Sequence, residues 1–194
     1  MKSNSLASAR KKVVLVTGAA RSGKSEWAET LATNSNKSVV YVATAMMYPD
    51  DREWQERIIK HQERRPKDWT IIAETKHLTN IINQAQSNCC VLVDSLGSWV
   101  ANLLEMEADS WIETTEELLY CLSQTNSEII FVAEETGWGV VPAYKSGRLF
   151  RDRLGHLSRQ IGSMADKVYL ITGGHALDLG VLGIPLPKID NGAS

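Results

Sequence analysis

One stretch of eight residues constrains the fold of this chain more than any other, because it fits the pattern G-x-x-x-x-G-K-[ST] at every position. It directly follows the apolar run Val13–Thr17 and reads Gly18, Ala19, Ala20, Arg21, Ser22, Gly23, Lys24, Ser25. The two glycines let backbone N–H groups turn inward without a Cβ clash, so that the loop forms a nest for anions. A helix beginning near Lys24 would add the positive end of its dipole. The pattern therefore predicts a strand, a phosphate-binding loop and a helix in direct succession.

Three residues are candidates for the chemistry of this loop. We expect Lys24 to reach the β- and γ-phosphates of a nucleoside triphosphate and the Ser25 hydroxyl to ligate Mg²⁺. A loop of this kind also needs an acid near the metal, usually at the end of a neighbouring strand, and "VLVDS" places Asp94 there. Asp94 could contact Mg²⁺ directly or through water, or it could simply cap the next helix. The loop alone leaves a kinase, a nucleotidyl transferase and a nucleotide switch open.

Short apolar runs alternate with helix-like stretches along the whole chain, and continuous runs of this kind are typical of strands buried on both faces of a mainly parallel sheet. The predicted strands are Val13–Thr17, Val39–Ala43, Thr70–Ala73, Cys90–Asp94, Glu128–Ala133 and Lys167–Thr172. The predicted helices are Lys24–Thr33, Asp50–Glu63, His77–Gln86, Ser98–Glu105, Ser110–Ser123 and Ser146–Met164. The last helix carries an apolar face, with most of its arginines elsewhere: Arg148, Arg151, Arg153 and Arg159.

This alternation predicts the α/β class, namely a single P-loop NTPase domain with a mainly parallel, doubly wound sheet flanked by helices and a RecA-like core. We assign residues 13–183 to this domain. Residues 1–12 are expected to form a mobile N-terminal tail, and residues 184–194 a C-terminal tail.

Composition excludes several classes of function. With 21 Lys and Arg against 23 Asp and Glu, the chain lacks the strong positive field of a nucleic-acid-binding protein. No apolar run approaches the roughly 18 residues of a membrane-spanning helix. The N-terminus also lacks the apolar core of a secretory signal. Three cysteines without metal-site spacing, Cys89, Cys90 and Cys121, fit a reducing environment, so we expect a cytoplasmic protein.

A histidine stands among cations in the second unusual stretch, "RIIKHQERRP". His61 lies near the end of a predicted helix, close to Lys60, Arg64 and Arg65. One interpretation is a solvated basic helix end, where cations complement the helix dipole. The other is that the arginines hold phosphates while His61 attacks one of them. An imidazole is largely neutral at pH 7, and neighbouring cations favour this nucleophilic form.

Six blocks in a fixed order carry a family resemblance that extends from about Val13 to Gly174. They read "VLVTGAARSGKSEWAE", "VVYVATA", "RIIKHQERRP", "VLVDSLGSWVANLL", "EETGWGVVP" and "GRLFRDRLGHLSRQIGSMADKVYLITGG". Together they resemble the bifunctional adenosylcobinamide kinase/adenosylcobinamide-phosphate guanylyltransferase family of cobalamin biosynthesis. The first block is shared with many NTPases, whereas the histidine block and the last block are much more particular to this family.

The resemblance implies two reactions. In the first, a nucleoside triphosphate (ATP or GTP) phosphorylates the aminopropanol hydroxyl of adenosylcobinamide. In the second, GTP guanylylates His61, and the GMP passes to adenosylcobinamide phosphate to give adenosylcobinamide-GDP. The resemblance also implies Mg²⁺ as the cofactor and a homotrimer as the assembly.

The family pattern places further nucleotide contacts on the residues Ala43, Thr44, Ala45, Gln62, Glu63, Arg64, Arg65, Glu74 and Asp94. Plain alternatives exist, since "ATA" could be an ordinary loop leaving a parallel strand and Glu74 a solvated acid. Two positions depart from the pattern. Ala45 stands where the family usually has a serine or a similar polar residue, and Glu134 precedes Glu135 where the family tends to have Asn-Glu. An additional carboxylate near phosphates would repel them unless it is neutralised.

Two other functions remain compatible with the residues. One is a single-step P-loop kinase of another small molecule, with His61 on the surface. The other is a GTP- or ATP-binding switch that catalyses no reaction of its own.

Overall fold

A computed structural model describes residues 12–46 and 65–186 of the chain. Its strands are β1 (Lys12–Gly18), β2 (Ser38–Ala43), β3 (Thr70–Ala73), β4 (Cys89–Asp94), β5 (Glu128–Glu134), β6 (Lys167–Thr172) and β7 (His175–Asp178). Its helices are α1 (Lys24–Thr33), α2 (Leu78–Gln84), α3 (Leu96–Asn102), α4 (Ala108–Gln124), α5 (Lys145–Met164) and α6 (Leu179–Leu182). None of the helices in these two ranges is long and apolar enough to cross a membrane.

The strands form one sheet in the order β3-β2-β4-β5-β1-β6-β7. All neighbouring strands pair in parallel except β6 and β7, which are antiparallel. Strand β1, which leads into the phosphate loop, lies in the interior of the sheet between β5 and β6. Strand β5 separates it from β4, which carries Asp94. The predicted α/β class and mainly parallel sheet are confirmed.

Alternate residues of β1 serve two separate cores, one on each face of the sheet. Val13 and Leu15 pack into a cluster with apolar residues of α2, α3, α4 and α5. Val14 and Val16 point the other way and pack with Ala28 and Ala32 of α1. Because helices cover both faces, both sides of each central strand must be apolar, which explains the continuous runs in the sequence. The sheet is doubly wound, as predicted.

All six predicted strands are confirmed to within one residue at each end. Five of the six predicted helices are also confirmed, with small differences at their ends, while Asp50–Glu63 lies outside the described residues. Strand β1 begins at Lys12, one residue before the predicted domain boundary. Residues 184–186 of the predicted C-terminal tail are exposed and have no regular structure.

Two short elements were not predicted, β7 and α6, each of four residues. Gly173 and Gly174 connect β6 to β7 and have φ values of 55° and 76°. A two-residue turn with positive φ at both positions matches the twist of antiparallel strands and favours glycine. The sequence therefore did contain a hairpin signal, but the four residues after it are too few to show an alternating pattern.

Candidate nucleotide-binding site

The phosphate loop joins β1 to α1 with two residues in the left-handed region. Arg21 has φ 60° and Gly23 has φ 95°. Gly18 is required for a different reason, since a Cβ there would lie 2.5 Å from the Ile171 carbonyl oxygen on β6. The first glycine of the motif thus permits close packing of neighbouring strands, while the second permits the turn into the helix.

Lys24 and Ser22 place polar atoms inside the loop. The Lys24 side chain is buried, and its Nζ donates a hydrogen bond of 3.2 Å to the carbonyl oxygen of Ala19. The Ser22 Oγ is also buried and has no hydrogen-bond partner among the described residues. Buried polar atoms normally have partners, so a hydroxyl left without one fits a loop built to surround an anion. Ala19, Ala20 and Arg21 are exposed, and Ser25 is half-buried.

The fold brings the other predicted site residues to the same edge of the sheet. Gly18, Ala43 and Asp94 end β1, β2 and β4, and Glu74 directly follows β3. Backbone hydrogen bonds connect these ends: Thr44 N–H donates to the Asp94 carbonyl at 3.3 Å, and Glu74 N–H donates to the Ala43 carbonyl at 3.1 Å. Ligands of open α/β sheets bind at this carboxyl edge.

Thr44 is fully buried and connects the segments that follow β2 and β4. Its Oγ1 donates to the Ser95 carbonyl at 2.7 Å and accepts from the Ser95 N–H at 2.8 Å. The Asn102 amide donates to the carbonyls of Thr44 and Thr75, at 2.8 and 3.0 Å. The Thr44 side chain therefore positions the edge and its hydroxyl is engaged within the protein. The sequence did not indicate Asn102 as a supporting residue. Its helix, α3, follows β4, whereas the carbonyls that it contacts follow β2 and β3.

Asp94 accepts a hydrogen bond from a buried tyrosine. The Tyr41 hydroxyl donates to Asp94 Oδ2 at 2.8 Å. Burial, followed by the negative charge of Asp94, raises the pKa of Tyr41, so the phenol remains a donor. The Arg65 guanidinium lies over the Tyr41 ring, 3.4 Å from its centroid. The Arg65 Nε lies 3.6 Å from Glu29 Oε1 of α1. Arg65, a predicted nucleotide contact, is thus packed against the protein's own side chains.

Glu74 binds the backbone at the beginning of α2. Its Oε1 accepts from the N–H groups of Lys76 and His77, at 2.8 and 2.9 Å. Both hydrogen bonds lower the pKa of the Glu74 carboxyl, and the one from His77 has the larger effect. Glu74 therefore has a structural task in addition to the nucleotide contact expected from the sequence.

The additional carboxylate at Glu134 points into the first turn of a helix. Glu134 Oε2 accepts from the Gly97 N–H of α3 at 3.0 Å. A Cβ at position 97 would lie 2.0 Å from that oxygen, so a larger residue would displace the Glu134 carboxylate. Glu135 Oε1 accepts from the Gly137 N–H at 2.7 Å. Both carboxylates thus bond to backbone donors, which offsets part of the repulsion expected towards phosphates.

Ser25 and Asp94 offer oxygen atoms, which are the ligands that Mg²⁺ prefers. In the described ranges no group of three or more His, Cys, Asp or Glu side chains could hold a metal ion. An ion at this edge would therefore depend on nucleotide phosphates and water for its other ligands, as Mg²⁺ commonly does. The residues present fit Mg²⁺ brought in with a nucleotide.

A cavity of about 720 Å³ lies next to the phosphate loop, between α5 and the segment that includes α6. None of the predicted nucleotide contacts lines this cavity. Glu135 does line it, and the Glu135 N–H donates to the Gly18 carbonyl at 2.9 Å. The walls are largely apolar, and their charged residues are three cations and three acids: Arg151, Arg159, Lys167, Glu134, Glu135 and Asp166. The cavity is large enough for a small-molecule ligand and adjoins the loop.

Four predicted site residues lie outside the described residues: His61, Gln62, Glu63 and Arg64. Their assignment as nucleophile and nucleotide contacts stays a prediction. The described part of the chain contains all eight loop residues and Ala43, Thr44, Ala45, Arg65, Glu74 and Asp94.

Comparisons with known proteins agree with this geometry. The family model described as "Cobinamide kinase / cobinamide phosphate guanyltransferase" matches residues 14–179. The chain is 37% identical over 175 residues to the bifunctional adenosylcobalamin biosynthesis protein CobP of Pseudomonas aeruginosa (strain PAO1), covering 89% of this chain and 95% of that protein. It is 32% identical over 177 residues to the bifunctional adenosylcobalamin biosynthesis protein CobU of Escherichia coli (strain K12), covering 84% and 96%.

A solved structure of a Pyrococcus horikoshii OT3 protein shares the fold at 9% identity. The TM-score is 0.52, and the match covers 87% of this chain and 85% of that one. By the family match and the two relatives, the chain belongs to the cobinamide kinase / cobinamide phosphate guanyltransferase family.

Proposed function

We propose that this chain is a bifunctional transferase acting on adenosylcobinamide. It phosphorylates adenosylcobinamide with a nucleoside triphosphate, and then transfers GMP from GTP to adenosylcobinamide phosphate through a guanylylated histidine. The observation that carries the proposal is the family match over residues 14–179, which includes the complete phosphate loop and Asp94. Both relatives reported above carry the word bifunctional in their names.

In the kinase step the acceptor hydroxyl loses its proton to solvent and its oxygen attacks the γ-phosphorus, while the bond to the departing nucleoside diphosphate breaks. Lys24 and the inward N–H groups of the loop stabilise the charge on the transferring phosphoryl group. Ser25 and Asp94 would hold Mg²⁺, which supplies further positive charge at the phosphates. The buried position of Lys24 supports this role, because its charge acts where little water screens it.

In the guanylyl step an imidazole nitrogen of His61 attacks the α-phosphorus of GTP. A phosphorus–nitrogen bond forms, the bond to pyrophosphate breaks, and the phosphate loop stabilises the charge on the departing pyrophosphate. The phosphate of the cobinamide acceptor then attacks the same phosphorus and releases His61. The covalent intermediate divides one displacement into two.

The proposal extends to further nucleotide contacts, to the location of the enzyme and to its assembly. Arg65 and Glu74 are proposed nucleotide contacts in addition to the contacts observed for these two residues. Gln62, Glu63 and Arg64, which lie outside the described residues, are proposed nucleotide contacts as well. The enzyme is proposed to act in the cytoplasm, which its free cysteines and its use of nucleoside triphosphates support.

We propose a homotrimer from the family pattern. Exposed apolar side chains at Trp138, Val140 and Val141 support an assembly of this kind.

We also propose that the corrinoid acceptor uses the cavity beside α5. Gly155 lines this cavity, and a Cβ there would meet no atom within 4 Å, so the position has open space for a side chain. Gly155→Leu should raise the KM for the corrinoid severalfold and leave the KM for the nucleotide unchanged, and Gly155→Ala should do less. Equal corrinoid KM values in wild type and Gly155→Leu would place the acceptor elsewhere.

The overall proposal is tested by following two labels. With Mg²⁺ and adenosylcobinamide, label from the γ-phosphate should reach the corrinoid, and with adenosylcobinamide phosphate, label from the α-phosphate of GTP should do so. Lys24→Met should lower both rates by roughly 100-fold or more, since it removes a donor from the transferring and departing groups. Transfer of γ-label to another hydroxyl without α-label transfer would indicate the single-step kinase. Nucleotide binding without transfer of either label would indicate the switch.

A further inference from the structure

We propose that Tyr41 is a positioning residue for Asp94. Its hydroxyl binds the Oδ2 atom of the carboxylate and fixes the orientation of the group that would hold Mg²⁺. This inference rests on the metal role of Asp94 in the proposed function. It adds a residue that has no place in the phosphate loop or among the expected nucleotide contacts.

Tyr41 and Asp94 are aligned by neighbouring strands. Ala43 pairs with Asp94 in the parallel ladder of β2 and β4, and Tyr41 precedes Ala43 by two residues, so both side chains lie on the same face of β2. That face is the one covered by α1, the helix that begins with Lys24 and Ser25. Tyr41 lies two residues before the end of β2, so its hydroxyl reaches Oδ2 of Asp94 from the side that faces away from the carboxyl edge, at 2.8 Å.

The tyrosine ring is itself held in place. Tyr41 is 3% exposed, and the Arg65 guanidinium covers its face at 3.4 Å. Glu29 of α1 lies beside Arg65 and offsets its charge, with the two side chains only 10% and 7% exposed. A stacked cation on one face and a packed core around the ring leave the hydroxyl little freedom to move. The donor to Asp94 is preorganised before any nucleotide binds.

Partners of metal ligands usually fix the orientation of those ligands, and their loss typically lowers metal affinity or activity about 10- to 100-fold. A tyrosine that merely satisfied its own buried hydroxyl would affect folding stability without changing the response to Mg²⁺. The two roles therefore differ in the dependence of nucleotide binding on Mg²⁺.

The test is to measure the binding of a non-hydrolysable GTP analogue by calorimetry, first in EDTA and then across a Mg²⁺ titration. Tyr41→Phe retains the ring beneath Arg65 and removes only the hydroxyl. We expect its affinity in EDTA to equal that of wild type, and the Mg²⁺ concentration for half-maximal enhancement to rise about tenfold. Tyr120→Phe on α4 removes the same group from a side chain that is 69% exposed, and should behave as wild type.

A double-mutant cycle with Asp94→Asn adds a second readout. If Tyr41 acts through Asp94, adding Tyr41→Phe to Asp94→Asn should change the Mg²⁺ response little further. Equal Mg²⁺ responses in wild type and Tyr41→Phe would overturn the inference, and so would fully additive effects in the cycle. Binding of the analogue requires no transfer to a corrinoid. A shifted Mg²⁺ response in a protein that transfers no label would therefore support Tyr41 while contradicting the proposed function.

Discussion

Three of the carboxylates at the carboxyl edge of the sheet have different partners. Asp94 accepts from a tyrosine hydroxyl, Glu74 from backbone N–H groups just after it, and Glu134 from the first turn of α3. The positions of these acids could be predicted from the apolar runs that precede them. Their partners could not, because Tyr41 and Gly97 are brought to them by strand pairing between distant parts of the chain.

Glu74→Gln separates the structural task of Glu74 from its proposed nucleotide contact. The pKa of Glu74 is lowered in the folded state, so its charge stabilises the fold above the ordinary pKa of glutamate, and this stabilisation is lost as the pH falls through the lowered value. We expect the variant to be less stable by about 0.5 kcal/mol at pH 7, a typical effect of a charge at a helix N-terminus. Urea unfolding at pH 7 and at pH 3 measures the difference, which should be smaller at the lower pH.

A difference in stability that persists unchanged at pH 3 would show that the charge of Glu74 is not what stabilises α2. Nucleotide selectivity is a separate readout of the same variant. If Glu74 reads guanine N–H groups, Glu74→Gln should weaken binding of GTP more than binding of ATP.

The three cysteines are buried and free, which makes their reactivity a test of the core. Burial raises the pKa of Cys90 to about 12 and also raises the pKa values of Cys89 and Cys121. Because only the thiolate reacts, we expect Ellman's reagent at pH 8 to modify the native protein slowly and all three thiols at once after unfolding. Rapid, stoichiometric modification of one thiol in the native protein would contradict the burial.

At the scale of the elements, helix α5 carries a buried arginine whose burial could not be predicted from the sequence. The Arg153 guanidinium donates to the carbonyls of Leu103 and Leu104 at 3.0 Å and to that of Met106 at 2.7 Å. It also lies 4.9 Å from the centre of the Trp111 ring. These carbonyls belong to residues just after α3, and carbonyl groups at the end of a helix have no partner within it. The periodicity of α5 correctly predicted its apolar face, but periodicity carries no information about a turn more than 40 residues earlier.

Arg153→Met retains much of the length of this side chain and removes its donors. Three hydrogen bonds from a charged donor to these carbonyls would be lost, so we expect the free energy of unfolding to fall by about 2–3 kcal/mol. Arg159→Met on the exposed side of the same helix is the matched control and should change it by less than about 0.5 kcal/mol. Urea unfolding followed by circular dichroism measures both. Equal stability of the two variants would show that Arg153 does not hold the end of α3.

At the scale of the whole molecule, the strand order assembles the nucleotide site from segments far apart in sequence. The phosphate loop follows β1, which lies two places from β4 and three from β2, yet all of these strands end at one edge. A parallel sheet was predictable from the continuous apolar runs, and with it the meeting of Gly18, Ala43, Glu74 and Asp94. The packing of Arg65 onto Tyr41 was not, because the sequence shows only a cation in a basic stretch.

The two proposed reactions share one loop, which holds the transferring phosphate in the first and the leaving pyrophosphate in the second. In the proposed second reaction, GMP passes through a nucleophile on the protein, and His61 is the proposed one. The central claim therefore concerns a covalent bond, which is directly observable.

The most direct measurement is to incubate the protein with Mg²⁺ and GTP labelled at the α-phosphate, and to look for acid-labile label on the chain. We predict a labelled wild type, an unlabelled His61→Ala variant, and normal labelling of His156→Ala, which alters an exposed histidine on α5. Wild type without label, or His61→Ala with label, would contradict the account.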